Sequence, residues 1–221
     1  MVSLEQVSAA LAWVDPWLSP WVHVLGASVS QLEALAFALS VWMVLGSMQV
    51  KVWNWPLAIA SSVLYGLLFA RSRLYGEAVL QAFFVLVSVW GWLQWWRGTR
   101  TGALGEDTEQ GHHVRQLRGR ARWWPWLAWL LLWPLTGSLL HHITDSDVPY
   151  WDALPTAGSV VGQVLLARKW TENWPCWLLV NLISVGLFAY KQLWLTVLLY
   201  ALFAVLSVLG WRAWLRLERA T

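Results

Sequence analysis

The tripeptide Asn-Trp-Pro occurs at Asn54–Pro56 and again at Asn173–Pro175, and sliding the chain by 119 residues keeps matching it to itself without a gap. Leu68-Phe69-Ala70 falls on Leu187-Phe188-Ala189, Ser88-Val89 on Ser207-Val208, Gly91-Trp92 on Gly210-Trp211, Trp95 on Trp214 and Arg97 on Arg216. Upstream, Ala34-Leu35, Ala38 and Ser40-Val41 meet Ala153-Leu154, Ala157 and Ser159-Val160. A gapless register of that length is a duplication. It dictates that whatever the first copy folds into, the second repeats.

What each copy folds into follows from its lack of charge. Only 12% of the residues are charged and 58% are hydrophobic, where a soluble domain carries about 25% charged residues. Charge-poor windows of about 20 residues have the length that crosses a bilayer as helix, and they lack the period-two alternation of barrel strands. The sequence predicts helices over Glu33–Val50, Trp53–Ala70, Tyr75–Trp96, Trp123–Ile143, Tyr150–Arg168, Trp174–Tyr190 and Leu193–Leu215. The expected fold is an all-α membrane protein of seven transmembrane helices. Residues 33–97 form a first three-helix repeat and 150–216 a second, joined by a cytoplasmic loop (98–122) and a linker helix with its outer loop (123–149). Residues 217–221 are a tail. In residues 1–32, the Trp-rich stretch Leu4–Leu25, broken by Pro16 and Pro20, is expected to form a short interfacial helix. The polar stretch Arg97–Arg122 reads as a mobile loop. Three helices plus one linker make an even number of crossings, so the two copies enter the membrane in the same direction. Parallel repeats of this kind are a transporter plan, with the substrate near the midplane between the halves.

Twelve Lys and Arg residues fall on one side of this plan and three, Arg71, Arg73 and Lys191, on the other. The positive-inside rule then puts the N-terminus outside and the C-terminus in the cytoplasm of a bacterial inner membrane. No Lys or Arg precedes Lys51, so no basic leader region is expected. The single cysteine, Cys176, excludes an internal disulfide framework and a multi-cysteine metal site. Adjacent histidines at His112-His113 and His141-His142 point about 100° apart on a helix and make a poor chelate. No metal or cofactor is expected. The net charge of +3 comes from residues flanking spans, which is no nucleic-acid signal.

A pseudo-symmetric scaffold can hold an asymmetric ligand only where its halves differ. Ser62 becomes Asn181, Ala58 becomes Trp177 and Gln81 becomes Tyr200. With "WNWPLAIASSVLYGLLFARSRLYGEAVLQAFFVLVSVWGWLQW" and "ENWPCWLLVNLISVGLFAYKQLWLTVLLYALFAVLSVLGW" on the page, the chain resembles the PnuC family of bacterial vitamin transporters, relatives in architecture of the SWEET sugar transporters. The nicotinamide riboside carriers of that family bear a WxxWxxxN pattern, complete here as Trp174, Trp177 and Asn181. The family also holds thiamine carriers. The resemblance implies import of nicotinamide riboside by facilitated diffusion, trapping by a cytoplasmic kinase, and a homotrimer.

On a helix those three residues share one face at i, i+3 and i+7. A tryptophan face attracts a permanent cation such as the pyridinium of the riboside by roughly 0.5–2 kcal/mol. The asparagine offers a donor and an acceptor to a carboxamide or ribose hydroxyl. The plainer reading is an interfacial tryptophan belt and an asparagine bonded between helices. Gln81, polar in mid-helix, is a further binding candidate. Trp55, Trp42, Gln49, Gln163 and Tyr200 are weaker candidates for binding or gating. Glu33, Glu77, Asp152 and Glu172 lie near span ends, where helix-start placement explains them. The competing functions are the same fold carrying thiamine or another nucleoside-like vitamin, and, in another class, a membrane enzyme or scaffold. The lack of clustered carboxylates or metal ligands inside the spans argues against an enzyme.

Overall fold

A computed structural model describes residues 12–24, 27–71, 75–102, 114–143, 148–190 and 194–220. Seven long helices dominate it: α1 (Gln31–Met48), α2 (Asn54–Arg71), α3 (Tyr75–Gly102), α4 (Trp124–Ile143), α5 (Pro149–Ala167), α6 (Asn173–Tyr190) and α7 (Trp194–Ala220). The stretches Gln31–Met48, Ala78–Arg97, Asn173–Tyr190 and Thr196–Arg219 are long and apolar enough to cross a membrane. The apolar side chains of Leu131 and Leu135 on α4 are two-thirds exposed, which suits a surface facing lipid and would be costly in water.

Local chemistry sets the helix ends. Ser30 caps α1 by accepting a hydrogen bond from the Glu33 N–H at 3.2 Å, with Glu33 acidic in the first turn. The end of α1 is followed by Val50 at φ +54°, and the end of α5 by Lys169 at φ +57°. These two positions are related by the 119-residue offset, and neither is glycine. Left-handed backbone at such residues costs about 1–2 kcal/mol, so the same strained turn is built twice. Each turn leads into Asn-Trp-Pro, and Pro56 and Pro175 lie in the first turns of α2 and α6, where a missing N–H costs little.

Consecutive helices pack together from α1 to α3 and from α4 to α7, while α3 also packs on α5 and α1 on α7. One buried cluster joins Val50, Trp55, Trp95, Val114, Leu166, Ala167, Trp174 and Trp214. A second joins Leu117, Trp129, Ala157, Val161, Leu165, Cys176 and Val180.

Two segments differ from the sequence expectation. In place of an interfacial helix, the described N-terminal residues form a 3-10 turn (Ala12–Leu18) and an antiparallel hairpin of β1 (Pro20–Val24) and β2 (Ala27–Ser30). The prolines explain this: Pro20 cannot continue a helix, and it opens a strand instead. Asp15 accepts from Arg71 through both carboxylate oxygens at 2.5 and 2.6 Å, tying the turn to the end of α2. The described parts of the stretch expected as a mobile loop are ordered. Helix α3 runs on to Gly102, residues 103–113 lie outside the described residues, and Val114–Leu117 docks on the α5–α6 turn. The Arg115 N–H donates to the Lys169 carbonyl at 3.0 Å and the Thr171 N–H to the Arg115 carbonyl at 2.9 Å. Val114 and Leu117 are buried there, which repays the ordering of the backbone.

Candidate functional site

The Trp174–Trp177–Asn181 face of α6 meets three different environments. Trp174 is buried, and its ring lies over Gly210 of α7, where a Cβ would come within 2.3 Å of ring carbons. It stands edge-on to Trp214 at 5.6 Å and 86°. The first copy repeats this geometry: Trp55 lies over Gly91, again at 2.3 Å from a built Cβ, and stands edge-on to Trp95 at 5.3 Å and 89°. Trp95 and Trp214 then meet at 6.5 Å. The four indoles make one layer across the α1–α3 and α5–α7 groups. Hydrogen bonds cross it both ways: Trp95 Nε1 donates to the Ala167 carbonyl at 3.0 Å, and Trp214 Nε1 to the Ser47 carbonyl at 2.9 Å. The Nε1 atoms of Trp55 and Trp174 are buried without a partner among the described residues.

Trp177 is half-buried. Its indole lies beside Gly162 of α5, 3.1 Å from a built Cβ, and borders the second cluster. Asn181, one turn further along, is buried on the α7 side. Its Nδ2 donates to Ser207 Oγ at 3.2 Å, and Ser207 Oγ donates to the Phe203 carbonyl at 2.8 Å. The Asn181 carbonyl oxygen has no hydrogen-bond partner among the described residues. Gln163 on α5 does the same, donating from Nε2 to Ser88 Oγ at 3.2 Å, its carbonyl oxygen having no partner among the described residues.

The other candidates divide. Trp55 joins Trp174 in the indole layer. Gln81 on α3 faces α2, its Cβ 3.4 Å from a Cβ built on Gly66. Tyr200 stacks on Phe188 at 5.2 Å and 10°. Trp42 is 61% exposed, and Gln49 is the exposed C-cap of α1; neither belongs to the indole layer. Phe37 of α1 and Phe203 of α7 make a further contact between the helix groups, at 6.4 Å. Trp95, Trp214, Ser88 and Ser207 were visible in the sequence only as matches of the repeat, and that coincidence of position was the signal available.

Beside the indole layer, in the α5–α6 turn, Lys169 Nζ lies 5.0 Å from the centre of the Trp95 ring. Burial, with Arg115 nearby, pulls its ammonium down to about 8. Glu172 accepts from the Leu117 N–H at 2.9 Å, and burial raises its carboxyl above the ordinary range. Its other carboxylate oxygen is enclosed and unpaired among the described residues. No group of His, Cys, Asp and Glu that could hold a metal occurs among the described residues.

The chain is 24% identical over 200 residues to the nicotinamide riboside transporter PnuC of Escherichia coli, covering 76% of this chain and 78% of that one. It is 28% identical over 171 residues to the riboflavin/roseoflavin transporter RibM of Streptomyces davaonensis, covering 74% and 75%. A crystal structure of the vitamin B3 transporter PnuC superposes with a TM-score of 0.71 at 24% identity, covering 99% of this chain and 91% of that chain, which shows the fold. The model of the nicotinamide mononucleotide transporter family matches residues 30–216. As the resemblance in the sequence implied, the chain belongs to the nicotinamide mononucleotide transporter family, a family of membrane transporters and not of enzymes.

Proposed function

We propose that the chain carries nicotinamide riboside into the cell by facilitated diffusion across the bacterial inner membrane. The observation that carries this reading is the complete Trp174–Trp177–Asn181 pattern, in which the Asn181 carbonyl has no partner among the described residues. The helix contacts support a 3+1+3 plan, with α1–α3 and α5–α7 as parallel repeats and α4 as the linker. The N-terminus is then outside and the C-terminus in the cytoplasm, so the indole layer closes the cytoplasmic end. A homotrimer, and kinase trapping of the imported riboside, complete the reading.

The family label names the mononucleotide, while the Escherichia coli relative is named for the riboside. The riboside fits better. No Lys or Arg occurs anywhere in α1, α5 or α6, and a phosphate taken out of water without a counter-charge costs several kcal/mol. The second reading, another vitamin of nucleoside-like shape such as riboflavin or thiamine, draws on the similarity to RibM.

The test is binding and uptake by the purified chain in liposomes. Nicotinamide riboside should bind, its mononucleotide far less, and uptake should stop at equilibrium without a proton or sodium gradient. Voltage must be clamped, since 100 mV alone biases a monovalent cation by about 2.3 kcal/mol. Tight riboflavin or thiamine binding with no riboside binding overturns the first reading in favour of the second.

A further inference from the structure

The orientation of the Asn181 amide is set from behind. Ser207 Oγ donates its single proton to the Phe203 carbonyl, one turn back on α7, at 2.8 Å. A hydroxyl that has spent its proton can only accept. It accepts from Asn181 Nδ2 at 3.2 Å. Flipping the amide would set its carbonyl against the hydroxyl oxygen, or else take the proton away from Phe203. The carbonyl of Asn181 is therefore the end left without a partner among the described residues. Trp177 lies one turn before Asn181, about 6 Å along the helix axis. A flat ring stacked on that indole brings its substituent within reach of the amide.

We propose that Ser207 is a positioning residue that fixes the polarity of Asn181, so that the carrier presents an acceptor and selects a ring bearing a carboxamide over one bearing a carboxylate or a ketone. The inference deepens the riboside reading and rests on it. A carboxamide N–H donates to the Asn181 carbonyl, whereas a ketone brings only an acceptor and a carboxylate brings an acceptor and a charge. Ser88, at the matching position of the first copy, takes the Gln163 Nε2 in the same way. The Ser88 hydroxyl has no bond to its own helix among the described residues. The fixed amide is thus the one on Ser207.

The experiment is equilibrium binding to the purified full chain. The ligands are nicotinamide riboside, the 3-acetylpyridine riboside, which keeps the cation and shape but has no N–H, and nicotinic acid riboside. Wild type should bind both analogues at least about tenfold more weakly than the riboside, the factor expected for one unmade hydrogen bond. Ser207→Ala releases the amide, so this preference should fall several-fold while the protein still folds, with a melting temperature lower by at most several degrees. Ser207→Thr keeps the hydroxyl and should restore the preference. A wild type that binds the acetyl analogue as tightly as the riboside overturns the proposal, and that measurement stands even where Ser207→Ala fails to fold. A folded Ser207→Ala that keeps the full preference overturns it equally. Should the wild type bind none of the three, the riboside reading itself falls and takes this inference with it.

Discussion

The indole over glycine at Trp174–Gly210 gives the sharpest test of the architecture. Gly210→Ala adds one methyl group that would lie 2.3 Å from Trp174 ring carbons. Carbon atoms rest at about 3.5–4.0 Å, so the ring or the helix must withdraw by about 1 Å or more. The ring has nowhere easy to go, because Trp174 is buried and Trp214 stands against it edge-on. Forced overpacking of this kind costs about 1–3 kcal/mol. Against that, alanine is the better helix former by about 1 kcal/mol. Gly186→Ala separates the two terms. It lies on α6 with no neighbour within 4 Å of a built Cβ, so it should stabilise by about 0.5–1 kcal/mol. The two variants should thus differ by about 1–3 kcal/mol, or several degrees at roughly 2–4 °C per kcal/mol for a chain of this size. Gly91→Ala meets the Trp55 ring at the same distance and should fall beside Gly210→Ala. Thermal melts of the detergent-solubilised protein read all three. A Gly210→Ala protein that melts as high as Gly186→Ala would falsify the close packing of the indole layer.

Trp95→Phe removes an indole N–H and leaves the Ala167 carbonyl without that donor, costing about 1–3 kcal/mol, whereas Trp214→Phe should cost less, about 0.5–1.5 kcal/mol, because the Ser47 carbonyl also accepts from the Val50 N–H at 3.1 Å; melts unchanged by both would show that these bonds do not hold the two helix groups together. Asn181→Ser installs the residue found at the matching position Ser62 and should weaken riboside binding roughly tenfold to a hundredfold with little change in melting; unaltered affinity removes Asn181 from the site. Below pH 8 both the native and the unfolded Lys169 are charged and the burial cost is full, so stability should climb as pH rises from about 8, the native value, towards the unfolded one; Lys169→Met should lack that slope. For Glu172, raised by burial, the sign reverses: stability grows as pH falls from the native value towards the ordinary carboxyl range, and Glu172→Gln, which still accepts from Leu117, should be more stable than wild type at neutral pH and flat across that window.

The helices could be read from the chain because lipid-length runs without charge permit little else, and the strained turns at Val50 and Lys169 recur where the repeat places them. The N-terminal hairpin could not be read that way. Its tryptophans suit an interfacial helix equally well, and only Pro16 and Pro20 argue against one. The docking of Val114–Leu117 was hidden in a polar stretch, since it is made through backbone groups that every residue owns. In the candidate site, Trp174, Trp177 and Asn181 stand out by pattern, yet the pattern does not say that Trp174 is paired with Trp214 while Asn181 leans on Ser207. A serine in an apolar helix leaves no periodic mark, and its partner lies 26 residues away in the chain. Gly91 and Gly210 could have been found from their matching positions, because a small residue kept at the same place in both copies signals that something large lies on it.

The two indole bonds that cross between the helix groups are reciprocal. Trp95 reaches the end of α5, and Trp214 reaches the end of α1. Each copy of the duplicated sequence therefore carries one donor and one acceptor, and neither can satisfy its own. To within one residue of register (Ala167 matches Met48 and Ser47 matches Leu166), this follows the rule of an isologous interface, in which one surface is complementary to itself. A chain of half the length, holding one such copy, would make both bonds only by pairing with a second chain. The covalent duplication replaces that bimolecular encounter with an intramolecular one at high effective concentration, and it frees each copy to mutate alone. Asn181 opposite Ser62, and Trp177 opposite Ala58, are differences that two identical subunits could never have acquired.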